Sequence, residues 1–217
     1  MHEIEFFEDE HIYLVDEKEV PSVTTILNYM SDVEYSQVNP SILEQASKRG
    51  SLVHEYTELM DCGAVPDEIE YEVVGYLRAY EDFLRDYKPD WKGIEMPVYE
   101  DTYNYVGTLD RYGVIDGKLC IVDIKTVSSP TKMQKFTTCA QTIAYRQALY
   151  SMTKELAEDR YALYLGKDGE YNLVSLDEYE KKYGFNSWNV FCECRKLYQH
   201  IQELKDLKPI KKGVNNG

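Results

Sequence analysis

The dipeptide Asp116-Gly117 constrains the fold of this chain more than any other feature, because a largely apolar run stands on each side of it. Asp-Gly between two such runs is the strongest short-range signal for a two-residue β-hairpin turn. The sequence therefore predicts two antiparallel strands within residues 107–125, with Ile115 and Lys118 closing the turn. The second strand is apolar along most of its length, which is typical of a central, buried strand.

This register places three charged side chains on one face of the hairpin. Asp110 is predicted to lie opposite Asp123, and Thr108 opposite Lys125. Side chains alternate along a strand, so Asp123 and Lys125 share a face. Two buried carboxylates facing each other destabilise a sheet unless a proton, a cationic partner or a metal ion neutralises them. A hard divalent cation such as Mg²⁺ would resolve the conflict; the alternative is an Asp–Lys salt bridge on a solvated face.

The motifs in and around this hairpin resemble those of the PD-(D/E)XK nucleases, in particular the RecB-like and phage-exonuclease branch. Four motifs of that branch occur here in the family's order, within about residues 45–150. The family's proline before the first aspartate is absent, and Leu109 stands in its place. The motifs are the helix Arg49-Gly50-Ser-Leu-Val-His54, the strand Gly107-Thr-Leu-Asp110, the strand Asp123-Ile-Lys125-Thr126 and the helix Gln141-Thr-Ile-Ala-Tyr145.

The resemblance implies an α/β fold with a restriction-endonuclease-like core, in which a central mixed β-sheet is flanked by helices. We expect one nuclease domain over residues 1–217. Its parts would be an N-terminal β-hairpin and short helix over 1–40, a catalytic core over 41–175, and a C-terminal helix and tail over 176–217.

The resemblance also implies the chemistry of the site. Asp110, Asp123 and Lys125 would be the catalytic residues. His54, Asp110, Asp123 and the backbone carbonyl of Ile124 would bind Mg²⁺ or Mn²⁺, and the imidazole slightly favours Mn²⁺. Lys125 would help to position or activate the attacking water.

Two further carboxylates leave alternatives open. Glu95 lies on the strand before the hairpin, where it either adds a carboxylate to the site or lies at an exposed edge. Glu58 follows His54 by one helical turn and could orient the imidazole ring by a hydrogen bond.

Six residues are candidates for substrate binding. Gln141 and Tyr145 share a helix face and could contact phosphates or bases, although a buried tyrosine with a bonded glutamine is the alternative. The net charge of −15 argues against generic nucleic-acid binding, but residues 124–154 contain no acidic residue. That stretch indicates either a cationic track for a phosphate backbone or chance on a solvated helix face. The other four candidates are Arg49, Lys132, Lys135 and Arg146.

Periodicity and capping residues predict the remaining elements. We expect a hairpin within residues 4–20 around an acidic turn, and a first central strand over residues 91–99. We expect a closing strand pair over 160–166 and 171–174, and a frayed tail over 205–217. Helices are expected over residues 23–27, from Asn39 or Ser41 to Asp61, and over 67–87, 131–152 and 176–204.

Together these features favour a metal-dependent deoxyribonuclease of the exonuclease type. DNA is the expected partner, with a recombinase or single-strand annealing protein as a further candidate, and the oligomeric state is open. The alternatives are a non-catalytic nucleic-acid- or recombination-partner-binding protein on a nuclease fold, and a structure-specific endonuclease. Five cysteines without C-x-x-C spacing, no membrane-length apolar run and no signal peptide indicate a cytoplasmic protein.

Overall fold

The computed structural model describes residues 2–7, 12–64, 66 and 68–207 of the chain. The acidic turn expected after residue 7, and residues 208–217 of the expected tail, lie outside this part. The strands are β1 (Ile4–Phe7), β2 (Ile12–Val15), β3 (Lys18–Val20), β4 (Asp90–Glu100), β5 (Tyr105–Ile115), β6 (Lys118–Lys125), β7 (Asp159–Leu165) and β8 (Tyr171–Ser175). The helices are α1 (Val23–Tyr35), α2 (Pro40–Asp61), α3 (Val74–Tyr87), α4 (Lys132–Thr153), α5 (Leu176–Tyr183) and α6 (Ser187–Asp206).

The strands form two sheets, and the larger one confirms the α/β class. Strands β1, β2 and β3 make an antiparallel three-stranded sheet, whose third strand the sequence pattern does not predict. The five-stranded sheet has the order β4-β5-β6-β7-β8 and is mixed, because β6 and β7 run parallel while the other pairs are antiparallel. A mixed sheet flanked by helices is consistent with a nuclease-like core, although other α/β proteins share this arrangement.

The predicted hairpin is confirmed at its turn and along half of its length. Asp116 and Gly117 have φ of 49° and 77°, the pair of positive values that a type I′ turn requires. Pairing runs from Ile115↔Lys118 to Arg111↔Val122 in the predicted register. Strand β6 is the central strand of its sheet, as its apolar sequence indicates.

The predicted opposition of Asp110 and Asp123 is wrong, and so is that of Thr108 and Lys125. The β5–β6 pairing ends before either pair is reached. The reason is that a side chain bonds the backbone of β6 at this point. Asp110 Oδ2 accepts a hydrogen bond of 2.6 Å from the backbone nitrogen of Ile124. A carboxylate oxygen thus takes the position that a main-chain carbonyl would hold in a continued ladder.

Helices cover both faces of the five-stranded sheet. Ile121 of β6 packs in a core cluster with Ala144 of α4, together with side chains of α1 and α6. Val122 and Ile124 pack in a second cluster with residues of α2 and α3. Because side chains alternate along β6, Asp123 and Lys125 lie on the α4 side of the strand. Within the described part of the chain, no helix is both long enough and apolar enough to cross a membrane.

Three predicted helices, α1 among them, differ in extent from those observed. Helix α3 begins at Val74, and the expected start at residue 67 lies outside the described chain. The segment before α3 is held to α2 instead, because the Tyr56 hydroxyl donates to the carbonyl oxygen of Glu68. The expected final helix is two helices, since Gly184 adopts the left-handed conformation and Asn186 caps α6.

Other elements agree more closely with the sequence. Asn39 caps α2, which ends at Asp61 as expected. Ser22 caps α1, which continues beyond the five residues expected, to Tyr35. Helix α4 and strands β7 and β8 lie within one or two residues of their predicted bounds. Strand β4, expected to be central, is an edge of the five-stranded sheet.

Two glycines of the motifs above should respond to alanine with opposite signs. A Cβ on Gly107 would lie 2.7 Å from Tyr145 Cε1, and that ring is packed in the core. We expect Gly107→Ala to lower the free energy of unfolding by about 1–3 kcal/mol. A Cβ on Gly50 in helix α2 would meet only Thr126 Oγ1, at 3.8 Å. Because alanine favours a helix more than glycine does, Gly50→Ala should raise the free energy of unfolding by about 0.5–1 kcal/mol. Urea denaturation measures both, and equal effects would contradict this packing.

Candidate functional site

A histidine and two carboxylates converge beside the end of the β5–β6 ladder. His54 Nδ1 of α2 lies 3.3 Å from Glu95 Oε1 and 3.8 Å from Asp110 Oδ1. One ligand atom from each of these three residues lies within 4.8 Å of the others. Among the residues that the structure describes, this is the group of His, Cys, Asp and Glu side chains that could hold a metal ion.

Both ring nitrogens of His54 face oxygen atoms. Nε2 lies 3.2 Å from the carbonyl oxygen of Ile124, and Nδ1 faces Glu95. Burial lowers the pKa of His54, but the negative charges of Asp110 and Glu95 outweigh it and raise the pKa to about 9. At neutral pH an imidazolium therefore donates to both oxygens, and a proton sits where the sequence predicts a metal ion.

Glu95 lies beside His54, as the first of the two alternatives left open by the sequence expects. Its neighbours Ile94 and Met96 pair with Arg111 and Leu109, whereas Glu95 itself is left out of the β4–β5 pairing. It has φ of 43°, a left-handed conformation that is strained for a side-chain-bearing residue. This interruption of the β4–β5 pairing accompanies a carboxylate that faces His54 from the edge strand of the sheet.

The sequence suggests Glu58 as the residue that orients the imidazole, but the ring contacts other groups in the structure. The His54 ring has Glu95, Asp110 and the Ile124 carbonyl as its neighbours. The signal for Glu95 in the sequence is weak, since it is one acid between apolar residues on the strand before the hairpin.

Asp123 and Lys125 lie together on β6, as predicted. The Lys125 ammonium is 2.8 Å from Asp123 Oδ2, an ion-pair distance. Asp123 is 1% exposed, and neither carboxylate oxygen has a partner at hydrogen-bonding geometry among the described residues. Burial raises the pKa of Asp123 to about 6; Lys125 lowers it, and the nearby Asp110 raises it further. The buried carboxylate is thus ion-paired with Lys125 through Oδ2, whereas Oδ1 has no partner among the described residues and is available to a second cation.

The predicted Gln141 and Tyr145 pair lies beside Lys125. Lys125 Nζ donates to Gln141 Oε1 at 3.3 Å, and Gln141 Nε2 donates to the Tyr145 hydroxyl at 3.2 Å. The Tyr145 ring is 3% exposed and packs against Gly107. The tyrosine therefore holds Gln141, and through it Lys125, and its ring offers no free face on which a base could stack.

The structure does not bring the basic candidates of α4 into one track. Arg146 Nη1 lies 3.3 Å from Asp177 Oδ1 on α5. Lys132 and Lys135 each lie 5.9 Å from the ring centre of an α5 tyrosine, in cation–π contact. These three basic side chains of the stretch without acidic residues therefore contact α5, a helix from elsewhere in the chain, which local charge patterning does not reveal.

A pocket of about 520 Å³ opens next to Lys125 and Gln141. Arg49 and Thr137 also line it, and Arg49 Nε and Thr137 Oγ1 are buried with no hydrogen-bonding partner in the described part of the chain. Its volume is that of a small-molecule site, which fits a single nucleotide better than a duplex. We call it the α1–α2 pocket; its apolar wall includes Tyr35, Val38, Ile42 and Leu43.

The donor set fits a divalent metal ion. His54 offers an imidazole nitrogen, Glu95 and Asp110 offer carboxylate oxygens, and Ile124 offers a carbonyl oxygen beside them. The Asp123 carboxylate, whose Oδ2 is paired with Lys125, adds negative charge nearby. Carboxylate and carbonyl oxygens suit Mg²⁺ and Mn²⁺, and the imidazole is compatible with Mn²⁺.

Fold and site together define an α/β protein with a candidate metal centre at the C-terminal end of its central strand. Over 77 residues the chain is 32% identical to the human protein named mitochondrial genome maintenance exonuclease 1. The match covers 35% of this chain and 22% of that protein, so the similarity concerns about a fifth of the relative's length. No model of a known protein family matches the chain. The similarity suggests a nuclease.

Metal binding should depend on pH because of His54. A histidine must be neutral to ligate a metal, and the pKa of His54 is raised to about 9. We therefore expect Mn²⁺ affinity to rise by up to about tenfold per pH unit between about pH 7 and about pH 8, where Asp123 is already ionised. Calorimetry in two buffers of different ionisation enthalpy should show about one proton released per Mn²⁺ bound. Affinity that is independent of pH would contradict this.

Proposed function

We propose that this chain is a divalent-metal-dependent DNA nuclease of the PD-(D/E)XK type that acts as an exonuclease. The observation that carries the proposal is the convergence of His54, Glu95 and Asp110 beside the Asp123–Lys125 pair. The similarity to a protein named an exonuclease supports it independently of that geometry. DNA is the proposed substrate, and Mg²⁺ or Mn²⁺ the proposed cofactor.

Each side chain of the site has a proposed role. His54, Asp110, Asp123 and the Ile124 carbonyl would hold the metal ion, and the structure adds Glu95 to this set. When bound, the ion would lower the pKa of a coordinated water and neutralise charge on the scissile phosphate. Lys125 would position the attacking water or stabilise charge on the phosphate.

The surroundings of Lys125 support a catalytic role for its ammonium group. It has two close neighbours, Asp123 Oδ2 at 2.8 Å and Gln141 Oε1 at 3.3 Å. These contacts fix the ammonium in the wall of the α1–α2 pocket, which Lys125 and Gln141 both line. We propose that this pocket receives the nucleotide next to the scissile phosphate, with Arg49 as a cationic contact.

Replacing Lys125 should separate catalysis from metal binding. We expect Lys125→Ala to lower the rate of DNA hydrolysis by about 10²–10⁴-fold while Mn²⁺ binding is retained, since the ammonium is not a ligand. The assay is release of nucleotides from end-labelled linear DNA, with Mn²⁺ affinity measured by calorimetry on the same protein. Lys92→Ala is the matched control, because Lys92 pairs with the surface residue Glu155.

The same assay tests the alternatives. Equal digestion by wild type and Lys125→Ala would remove Lys125 from the mechanism. A wild-type protein that binds Mn²⁺ and DNA but hydrolyses neither linear nor circular DNA would be a non-catalytic binder. Hydrolysis of covalently closed circles as fast as of linear DNA would identify an endonuclease, because an exonuclease requires an end.

A charge placed in the α1–α2 pocket should weaken substrate binding. Ile42 lines this pocket and is 57% exposed, while Leu204 on α6 is 63% exposed and does not line it. We expect Ile42→Glu to raise KM for DNA by about tenfold or more through repulsion of phosphates, with Mn²⁺ affinity unchanged. Leu204→Glu adds the same charge and should leave KM near the wild-type value. Equal KM values for the two variants would exclude the pocket as the substrate path.

A further inference from the structure

Arg111 on β5 is a fully buried cation next to the candidate metal centre. Its side chain is 0% exposed, and each of its terminal nitrogens, as well as Nε, donates a hydrogen bond. A buried guanidinium is costly unless its donors are satisfied, and replacing a buried ion pair by apolar side chains is often neutral for stability. The presence of this cation therefore calls for an explanation beyond folding.

The hydrogen bonds of Arg111 lead to three of the candidate metal ligands, Glu95, Asp110 and His54. Nη1 donates to Glu95 Oε1 at 2.9 Å and to the carbonyl oxygen of Asp110 at 2.7 Å. Nη2 donates to Thr57 Oγ1 at 3.1 Å, and Thr57 Oγ1 donates in turn to the carbonyl oxygen of His54 at 3.0 Å. One planar group thus fixes the Glu95 carboxylate directly and the backbones of Asp110 and His54.

Asp61 neutralises Arg111 on the side away from these ligands. Arg111 Nε donates to Asp61 Oδ2 at 2.5 Å, and Asp61 is 1% exposed at its side chain. Tyr80 and Trp91 also donate to Asp61, at 2.6 and 3.1 Å. Because the pair is neutral as a unit, its repulsion of a cation at the site is small. The pair therefore affects metal binding mainly by holding the ligands in place, and only weakly by electrostatic repulsion of the metal ion.

We propose that Arg111, anchored by Asp61, is a positioning residue that preorganises Glu95, Asp110 and His54 for a divalent metal ion. This inference rests on the proposed metal site, but it concerns the affinity of the site and not the hydrolysis reaction. Partners that orient metal ligands in this way typically contribute 10–100-fold to metal affinity. A purely structural ion pair would contribute to folding and leave the affinity unchanged.

The test compares two buried arginines. Arg160 is also 0% exposed and is paired with Asp177 and Glu180, but its hydrogen bonds reach none of the candidate ligands. We expect Arg111→Lys, which keeps the charge and loses the planar fork, to weaken Mn²⁺ binding by about 10–100-fold. Arg160→Lys should lower the melting temperature without changing the Mn²⁺ affinity. Free Mn²⁺ is counted from its electron paramagnetic resonance signal in titrations of the full chain.

A second variant covers the case in which Arg111→Lys does not fold. The double variant Asp61→Leu/Arg111→Met removes the pair as a unit and leaves no unpaired buried charge, so it should fold and still lose about 10–100-fold in Mn²⁺ affinity. In a Glu95→Gln background the effect of Arg111→Lys should shrink, because much of it passes through the Glu95 carboxylate.

The measured Mn²⁺ affinities and hydrolysis rates distinguish failure of the Arg111 role, of the metal site and of the proposed function. Wild-type Mn²⁺ affinity in either Arg111 variant overturns the positioning role, and so does an equal loss of affinity in Arg160→Lys. A wild-type protein without measurable Mn²⁺ binding overturns the metal site and this inference with it. A wild-type protein that binds Mn²⁺ but does not hydrolyse DNA overturns the proposed function alone, and the Arg111 inference is still decided by the affinities.

Discussion

Both the strand pairing and the candidate site depend on the main-chain N–H and carbonyl groups of Ile124. Asp110 Oδ2 accepts from its N–H, and His54 Nε2 lies 3.2 Å from its carbonyl oxygen. In an antiparallel ladder both groups would pair with the neighbouring strand. Here two side chains replace that strand, so the β5–β6 pairing ends where the site begins. Buried backbone groups must be satisfied, and this requirement fixes Asp110 and His54 in the fold before any ligand binds.

This arrangement explains why Asp110 and Asp123 still lie in one site although the predicted β5–β6 register is wrong beyond Arg111 and Val122. Asp110 and Asp123 do not face each other across a regular ladder, yet their charges still interact, because the negative charge of Asp110 raises the pKa of Asp123. The requirement for a neutralising cation does not depend on a direct cross-strand pair. It depends on several carboxylates sharing a poorly solvated space, which the apolar strand β6 provides.

Local sequence patterns predict most helices and strands, whereas long-range contacts determine which side chains lie in the candidate site. Turn chemistry and the two-residue period predict the hairpin and the shared face of Asp123 and Lys125, and capping residues predict the starts of α1 and α2. The position of Glu95 beside His54 is harder to predict, because it depends on an interruption of the β4–β5 pairing and on the positive φ of Glu95. The pairing of Arg146 with Asp177 depends on a helix thirty-one positions away in sequence.

The charges around Ile124 give a physical reason for a divalent ion in particular. Four carboxylates of the described residues are linked here by ion pairs, those of Asp61, Glu95, Asp110 and Asp123, together with the permanent cations Arg111 and Lys125. Four negative and two positive groups leave a charge of about −2 when His54 is neutral. A proton on His54 cancels half of it, which is consistent with a pKa of His54 raised to about 9. A divalent metal ion would cancel all of it and release that proton, so proton and metal compete for the same unbalanced charge.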